Sequence, residues 1–169
     1  MDRMEFLRGA TLMIATGGMG LMAGVFAIYT NAIMPGLRGT DDRTFVASFQ
    51  SMDRAIINPL FMTAFLGTLV ATGVAIGVHA PAGHRSPLPW VVAAFVLYFA
   101  VVVITIAVNV PLNDAIKAAG LPDDPGRLAV IRSQFHEVRW MRWNTVRTVM
   151  TIAAFGSLLV SLVEYGAER

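Results

Sequence analysis

Four apolar segments dominate this 169-residue chain, and they cover about residues 9–34, 60–79, 89–109 and 145–163. Each is near the length of about 20 residues that a helix needs to cross the roughly 30 Å hydrocarbon core of a bilayer. Only 14% of the residues are charged, against about 25% in soluble domains. We therefore predict an all-α membrane protein in contact with the lipid bilayer, a four-transmembrane-helix up-down bundle formed as a single domain by residues 1–169.

The composition excludes several classes of function. The chain has no cysteine, so disulfides, thiolate nucleophiles and thiolate metal ligands are not available. Its net charge is only +2 and its arginines are scattered, which gives no support for nucleic-acid binding. The first apolar segment is longer than the core of a signal peptide, so we interpret it as a retained span.

Two of the spans are predicted to continue beyond the membrane on the same side. Residues 42–57 form an amphipathic segment that leads through Asn58 and Pro59 into the second span. A turn ends at Pro125, and no helix breaker follows before Gly156, which predicts one helix of about 40 residues. Such a helix is about 60 Å long, twice the thickness of the hydrocarbon core. Helices two and four are therefore expected to extend beyond the bilayer.

The stretch Gln134–Thr148, with the sequence Q-F-H-E-V-R-W-M-R-W-N-T-V-R-T, runs directly into the fourth apolar segment. At helical spacing, it places four residues on one face: His136, Trp140, Trp143 and Arg147. Polar groups that enter a membrane need partners, because an unpaired charge in hydrocarbon costs several kcal/mol. The other spans should supply those partners.

We call the side of the bundle that carries the N-terminus side A and the opposite side side B. In an up-down bundle, side B holds the ends of spans one and three and the starts of spans two and four. The side-B ends carry Tyr29, Asn31 and Arg38; Gln50, Arg54 and Asn58; Asn109, Asn113 and Asp114; and His136, Glu137, Trp140, Trp143, Asn144 and Arg147. Pro35, Pro59 and Pro111 fall at a similar depth, and irregular backbone within a membrane must be buried in protein or face a water-filled cavity. We therefore predict a polar and aromatic pocket at side B.

These residue types also have structural interpretations. Asparagines near helix ends often bond across helices, and tryptophan and arginine are ordinary interfacial anchors. Gly20 and Gly24 form a small-xxx-small pair, which suits either close packing within the monomer or a homo-oligomer.

Basic residues predict the orientation. Side A carries Arg3, Arg8, Arg85 and Arg169, and the other nine of the 13 basic residues lie on side B. By the positive-inside rule, segments 35–57 and 110–143 are cytoplasmic, in a protein of the cytoplasmic (inner) membrane.

Metal ligands are few. His79 and His84 are expected in the turn between spans two and three, and the candidates on side B are His136, Glu137 and Asp114. This set offers too few nitrogen ligands for a clear copper or iron site. We therefore predict no cofactor, and a metal-dependent redox enzyme remains an alternative.

Several short motifs resemble one family along nearly the whole chain. They are G-L-M-A-G-V-F at 20–26, N-P-L-F at 58–61, V-P-L-N-D at 110–114 and F-x-x-x-x-W-x-x-W-N-x-x-R-T at 135–148. Together they resemble the anthrone-oxygenase-like integral membrane family. The resemblance implies a four-helix membrane protein, and some members are associated with oxidising anthrones to anthraquinones in polyketide pathways without flavin or haem. At the matching positions it implies five pocket residues: Asn113, Trp140, Trp143, Asn144 and Arg147.

The resulting hypothesis is an oxygenase-like enzyme for a lipophilic aromatic small molecule. His136 is the expected base, since histidine exchanges protons near neutral pH, while Arg147, Asn113 and Asn144 would stabilise an enolate. The substrate-binding set is Trp140, Trp143, Asn109, Asn58, Tyr29 and Asn31. The alternatives are a metal-dependent redox enzyme, a binding or transport protein for an aromatic compound, and an accessory membrane subunit.

Overall fold

The computed structural model describes residues 2–80 and 87–168, which are mostly helical and contain no strand. The α-helices are α1 Arg3–Ile28, α2 Met34–Arg38, α3 Asp42–Ile56, α4 Pro59–His79, α5 Leu88–Ile104, α6 Val110–Ala118, α7 Pro125–Gln134 and α8 Glu137–Ala167. Two π-helical segments, π1 Tyr29–Ile33 and π2 Thr105–Asn109, interrupt the first and third spans. Four helical runs are long and apolar enough to cross a membrane. The predicted all-α fold of an integral membrane protein with four spans is confirmed.

The four spans pack as a ring in which sequence neighbours are spatial neighbours. Helix α1 packs against α4 and α8, and α5 packs against the same two helices. The core between them is built from fully buried side chains such as Leu12, Met19, Tyr98 and Leu158. Gly20 lies against α8, because a Cβ at that position would lie 2.9 Å from the Phe155 ring. The absence of a side chain there allows α1 and α8 to approach closely.

The short helices form a second layer over the side-B end of the spans. This side-B layer consists of α3, α6 and α7, which contact one another and bury a core of their own that includes Phe45, Phe49, Ile116, Leu128 and Phe135. The extensions predicted for helices two and four are therefore present. Each extension is joined to its span by a break in the helix.

The break before the second span depends on Asn58. Its side chain caps α4 by accepting a hydrogen bond from the Phe61 amide at 3.0 Å. The same side chain donates to the Ala55 carbonyl at 2.9 Å, which lacks its usual donor because Pro59 has no N–H. Asn58 thus satisfies both helix ends that the proline separates.

The break before the fourth span lies at His136 and was not predicted. His136 has φ 52 and ψ 54, the left-handed region that non-glycine residues rarely adopt. The turn lets α7 fold against α3 and buries Phe135, whose ring centroid lies 4.5 Å from that of Phe49. A straight helix would leave the apolar side chains Leu128, Ile131 and Phe135 without this partner, so burial of apolar area favours the break.

Both π-helical segments come just before a proline. The Met34 amide bonds to the Tyr29 carbonyl, five residues back, and Pro35 follows; the Val110 amide bonds to the Thr105 carbonyl, and Pro111 follows. A wider π-helical turn before a proline compensates for the hydrogen bond that the proline cannot donate. It also changes the direction in which the side chains of that turn point. The polar residues at the ends of spans one and three are positioned by these segments.

Helix α3 begins at an exposed capping residue, Asp41. Asp41 accepts hydrogen bonds from the Thr44 amide at 3.0 Å and the Thr44 hydroxyl at 2.7 Å. These bonds, with the side-chain bond as the larger cause, hold the pKa of Asp41 below its ordinary value.

Candidate functional site

A cavity of about 330 Å³ lies where the spans meet the side-B layer. Aromatic side chains from both cores form its walls, namely Phe26 and Phe65 from the spans and Phe49 and Trp140 from the side-B end. Its polar lining comes from five helical elements and consists of Tyr29, Asp53, Thr105, Asn113, Asp114, Lys117, Asn144 and Arg147. A mostly apolar cavity with a few convergent polar groups is the usual form of a small-molecule site.

Arg147 supplies a buried positive charge to this cavity. Only 5% of the residue is exposed, and its guanidinium lies 4.7 Å from the Phe26 ring centroid and 5.7 Å from the Trp140 ring centroid. Its Nη1 donates to Thr105 Oγ1 at 3.0 Å and its Nη2 to Asn144 Oδ1 at 2.8 Å.

The guanidinium of Arg147 has a hydrogen-bond donor and a positive charge that no other residue satisfies in the part of the chain that the structure describes. Its buried Nε has no hydrogen-bond partner, and no carboxylate within residues 2–80 and 87–168 forms an ion pair with it. Burying a cation without a counter-charge is unfavourable. The site is therefore suited to an anion, or to a negative charge that develops during a reaction.

Asn144 orients Arg147. While its Oδ1 accepts from the guanidinium, its Nδ2 donates to Thr30 Oγ1 at 2.7 Å and to the Phe26 carbonyl at 3.1 Å. Thr30 in turn lies within 3.0 Å of the Thr148 hydroxyl. Asn144 is fully buried and its donors bond to α1 and π1, so it holds the arginine in a fixed orientation.

A second polar chain crosses the cavity from Trp140 to Lys117. The Trp140 indole N–H donates to Asn113 Oδ1 at 2.7 Å, and Asn113 Nδ2 donates to Asp53 Oδ1 at 2.6 Å. The other oxygen of Asp53 pairs with Lys117 Nζ at 2.7 Å, and Lys117 also contacts Asp114 at 3.0 Å. Asn113 therefore holds the buried carboxylate of Asp53 in one orientation, and the Trp140 indole N–H in turn holds Asn113.

His136 and Trp143 are outside this cavity, contrary to the prediction. They line an open groove on the outer side of α7 and α8 together with Glu137, Arg139 and Arg142, and His136 is exposed. The left-handed turn at His136 removes it from the helical register that the prediction assumed. Trp143 is half-buried and lines this groove, although it lies one turn before Arg147 on α8. Of His136, Trp140, Trp143 and Arg147, only Trp140 and Arg147 line the cavity.

Three of the predicted asparagines also lie away from the cavity lining. Asn31 is exposed, and Asn58 is the exposed cap between α3 and α4. Asn109 is buried behind Trp140, where its Nδ2 lies 3.5 Å from the Trp140 carbonyl. Tyr29 lines the cavity, with its ring centroid 6.0 Å from that of Trp140.

The metal candidates are separated from one another. Glu137 pairs with Arg38 at 2.6 Å and Asp114 with Lys117, and no group of three His, Asp or Glu side chains in the described part of the chain could hold a metal ion. His79, expected in a turn, is the fully buried last residue of α4, with Nδ1 2.7 Å from the Ala75 carbonyl and its ring against Tyr165. This ring contact joins α4 to α8 across the bundle at side A. His84 lies outside the described residues.

Asp53 and Lys117 were not among the predicted site residues. A signal for Asp53 was present, since it follows Phe49 by four residues and Phe45 by eight, which places a carboxylate on the apolar face of α3. Lys117 is the single lysine of the chain and follows Asn113 by four residues. Its pairing with Asp53 depends on how α3 packs against α6.

The profile of the anthrone oxygenase family matches residues 45–157. This segment covers α3 from Phe45 onward, the second and third spans, α8 up to Ser157, and every cavity residue named above except Phe26 and Tyr29. Comparisons with curated proteins and with solved structures found no match. The match covers two thirds of the chain, and it agrees with the four-span fold and with the motifs that form the cavity. The chain belongs to the anthrone oxygenase family.

Proposed function

We propose that the protein is a membrane oxygenase that oxidises a lipophilic, fused-ring aromatic compound of the anthrone type in this cavity. The observation that carries the proposal is the buried guanidinium of Arg147, which faces an aromatic-walled cavity and has no carboxylate partner within residues 2–80 and 87–168. An anthrone that loses a C–H proton becomes an enolate, with its negative charge on the carbonyl oxygen. That oxygen is the anion that suits Arg147.

The aromatic walls suit the rest of the substrate. Phe26, Phe49, Phe65 and Trp140 surround the cavity, and Phe49 and Trp140 meet edge-on with centroids 5.7 Å apart. Flat rings gain from such offset and edge-on contacts beyond the area that they bury. The volume of about 330 Å³ lies at the lower end of small-molecule sites, which favours a compact aromatic compound.

Asp53 is the proposed base in place of His136. It is the buried carboxylate of the cavity, and its orientation is held by Asn113 and Lys117. Asp53 takes the proton from the CH₂ group of the substrate, and Arg147 stabilises the enolate through its free Nε–H. Asn113 and Asn144 are positioning residues for these two groups.

The enolate then reacts with dioxygen, which is the only other reactant. Its electrons pass to dioxygen, a C–O bond forms, and the peroxide takes up the proton held by Asp53. Loss of the remaining hydrogen of the same carbon and cleavage of the O–O bond give a ketone and water. The balance is R₂CH₂ + O₂ → R₂C=O + H₂O, with one oxygen atom in the product and one in water.

The test is oxygen uptake by the protein in lipid nanodiscs with anthrone as substrate, and empty nanodiscs measure spontaneous oxidation. We expect one dioxygen consumed per anthraquinone formed, with one atom of ¹⁸O in the new carbonyl. Asp53→Asn should lower the protein-dependent rate at least about 100-fold. Asp42→Asn is the matched control, because Asp42 is an ion-paired carboxylate of the same helix outside the cavity lining. No rate above the empty nanodiscs would overturn the proposal, and an unchanged Asp53→Asn rate would overturn the assignment of the base.

We also propose that the protein lies in the cytoplasmic membrane with side B facing the cytoplasm. Exposed Arg139 and Arg142 at the side-B end of α8 support this orientation. The chain has no natural cysteine, so Ser133→Cys on α7 is a unique label site. A membrane-impermeant maleimide should label it only after cells are opened, and labelling of intact cells would reverse the orientation.

A further inference from the structure

The cavity opens sideways through an apolar rim formed by Ile57, Met62, Leu66, Ile106 and Val110. All five residues line the cavity and are also between 37% and 62% exposed on the outer surface. A side chain can do both only where the cavity reaches the surface. Among the lining residues, Asp114 is also exposed, with 63% of its side chain accessible, and it lies one turn beyond Val110, toward side B.

The opening lies between α4 and π2. Toward side A, α4 and α5 are joined by Tyr98, which donates a 3.0 Å hydrogen bond to the Phe65 carbonyl, and by the Phe65 and Tyr98 rings. Toward side B, α4 and π2 are not among the closely packed pairs of elements, whereas α1 packs along α4 and α8, and α5 along α8. The cavity is therefore open between α4 and π2.

The rim is at membrane depth. Met62 and Leu66 belong to the first two turns of the second span, and Ile106 belongs to the third span. In a chain whose spans cross a bilayer, this part of the surface faces hydrocarbon rather than water. An apolar opening in hydrocarbon admits lipid-dissolved molecules without desolvating a polar group.

We infer that the cavity is loaded from the bilayer, through the rim between α4 and π2, by a membrane-dissolved aromatic compound. The aromatic class of this ligand rests on the proposed function, whereas the route rests on the rim alone. Through this route, the aromatic part of a ligand meets the Phe61 and Phe65 side of the cavity before it reaches Arg147.

Tryptophan fluorescence tests the route without any turnover. Trp140 is the one of the three tryptophans that lines this cavity, so Trp90→Phe and Trp143→Phe leave a single reporter. The protein is placed in nanodiscs and mixed with vesicles that contain 1-bromonaphthalene, a lipid-soluble heavy-atom quencher. Stopped-flow fluorescence gives the rate and the final extent of quenching.

The rim variant carries Leu66→Phe and Ile106→Phe in the single-tryptophan protein, and the two larger side chains narrow the rim. The matched control is Val70→Phe with Val103→Phe, since these residues are exposed on the same spans but do not line the cavity. We expect the rim variant to be quenched at least threefold more slowly than the control, with quenching by aqueous iodide unchanged. Equal rates in the two variants, or no quenching of Trp140 by the bromonaphthalene, would overturn the inference. A third outcome separates the two proposals. If quenching is slowed in the rim variant but the protein consumes no oxygen with anthrone, the entry route stands and the oxygenase activity is rejected.

Discussion

Arg147 donates a 2.8 Å hydrogen bond to Asn144, one turn earlier on α8, and this contact places a positive charge inside an apolar bundle. No acidic residue among those the structure describes neutralises that charge. Folding alone would favour an uncharged side chain of similar volume at this position. We propose that a ligand supplies the counter-charge, and this explanation can be separated experimentally from a structural one.

Arg147→Met should separate activity from stability. Loss of the charge removes the stabilisation of the enolate, so the rate of anthrone oxidation should fall about 10²–10³-fold. The removed desolvation cost should offset the lost hydrogen bonds, so the thermal unfolding midpoint should change little. Arg142→Met, on the exposed face of α8, is the control and should alter neither quantity. A large drop in the midpoint of Arg147→Met would show that the guanidinium is mainly structural.

Trp140→Phe should lower the oxidation rate because it removes a hydrogen bond to Asn113. The ring contacts are largely kept, but Asn113 Oδ1 loses the indole donor, at a cost of about 1 kcal/mol in stability. Because Asn113 then holds Asp53 less firmly, the oxidation rate should also fall. Trp143→Phe is the control, as Trp143 lies outside the cavity lining.

A double variant tests the same chain of hydrogen bonds. If Trp140 acts through Asp53, then Trp140→Phe combined with Asp53→Asn should be no slower than Asp53→Asn alone. The measurement is the rate of oxygen uptake of the two single variants and the double variant. Multiplicative effects would mean that Trp140 contributes independently, for instance by contacting the substrate.

Two substitutions of His136 should differ in stability but not in activity. Glycine tolerates the left-handed backbone at this position and valine does not, so His136→Gly should exceed His136→Val by at least about 1 kcal/mol in free energy of unfolding. Both variants lack the imidazole, and both should oxidise anthrone at the wild-type rate when folded, because His136 lies outside the cavity lining. Equal loss of activity in both would restore the histidine as the base.

Gly20 and Gly24 should respond differently to alanine. A Cβ at Gly20 would meet Phe155 at 2.9 Å, whereas a Cβ at Gly24 would meet no atom within 4 Å. Gly20→Ala should therefore lower the unfolding midpoint by overpacking α1 against α8, and Gly24→Ala should not lower it. Size-exclusion chromatography with light scattering tests the predicted homo-oligomer at the same time. A smaller particle for Gly24→Ala would assign Gly24 to an interface between copies.

Much of the architecture could be predicted because its signals are local. The length of each apolar segment determines a span, and Pro35, Pro59 and Pro111 mark positions where the regular helix must change. The structure has a π-helical segment before two of these prolines and a capped break before the third. The convergence at side B follows from the up-down order of four spans, and the cavity lies there.

The identity of the inward-facing residues was harder to predict. Extending one helical register through residues 125–166 placed His136 with Arg147, but a single left-handed residue broke that register. The energy for that conformation comes from the burial of Phe135 against Phe45 and Phe49, which are distant in sequence. No local propensity of the histidine indicates it.

The sequence by itself determined the four spans and the side on which their polar ends meet. It also determined that Arg147, Asn144, Asn113 and Trp140 lie at those ends. Both follow because hydropathy and helical spacing are properties of neighbouring residues. Tertiary structure decided that Asp53 rather than His136 faces the cavity, that Asn58 caps a helix, and that the rim lies between α4 and π2. Those outcomes depend on how helices far apart in the chain pack, since burial is a property of the whole fold and not of any one segment.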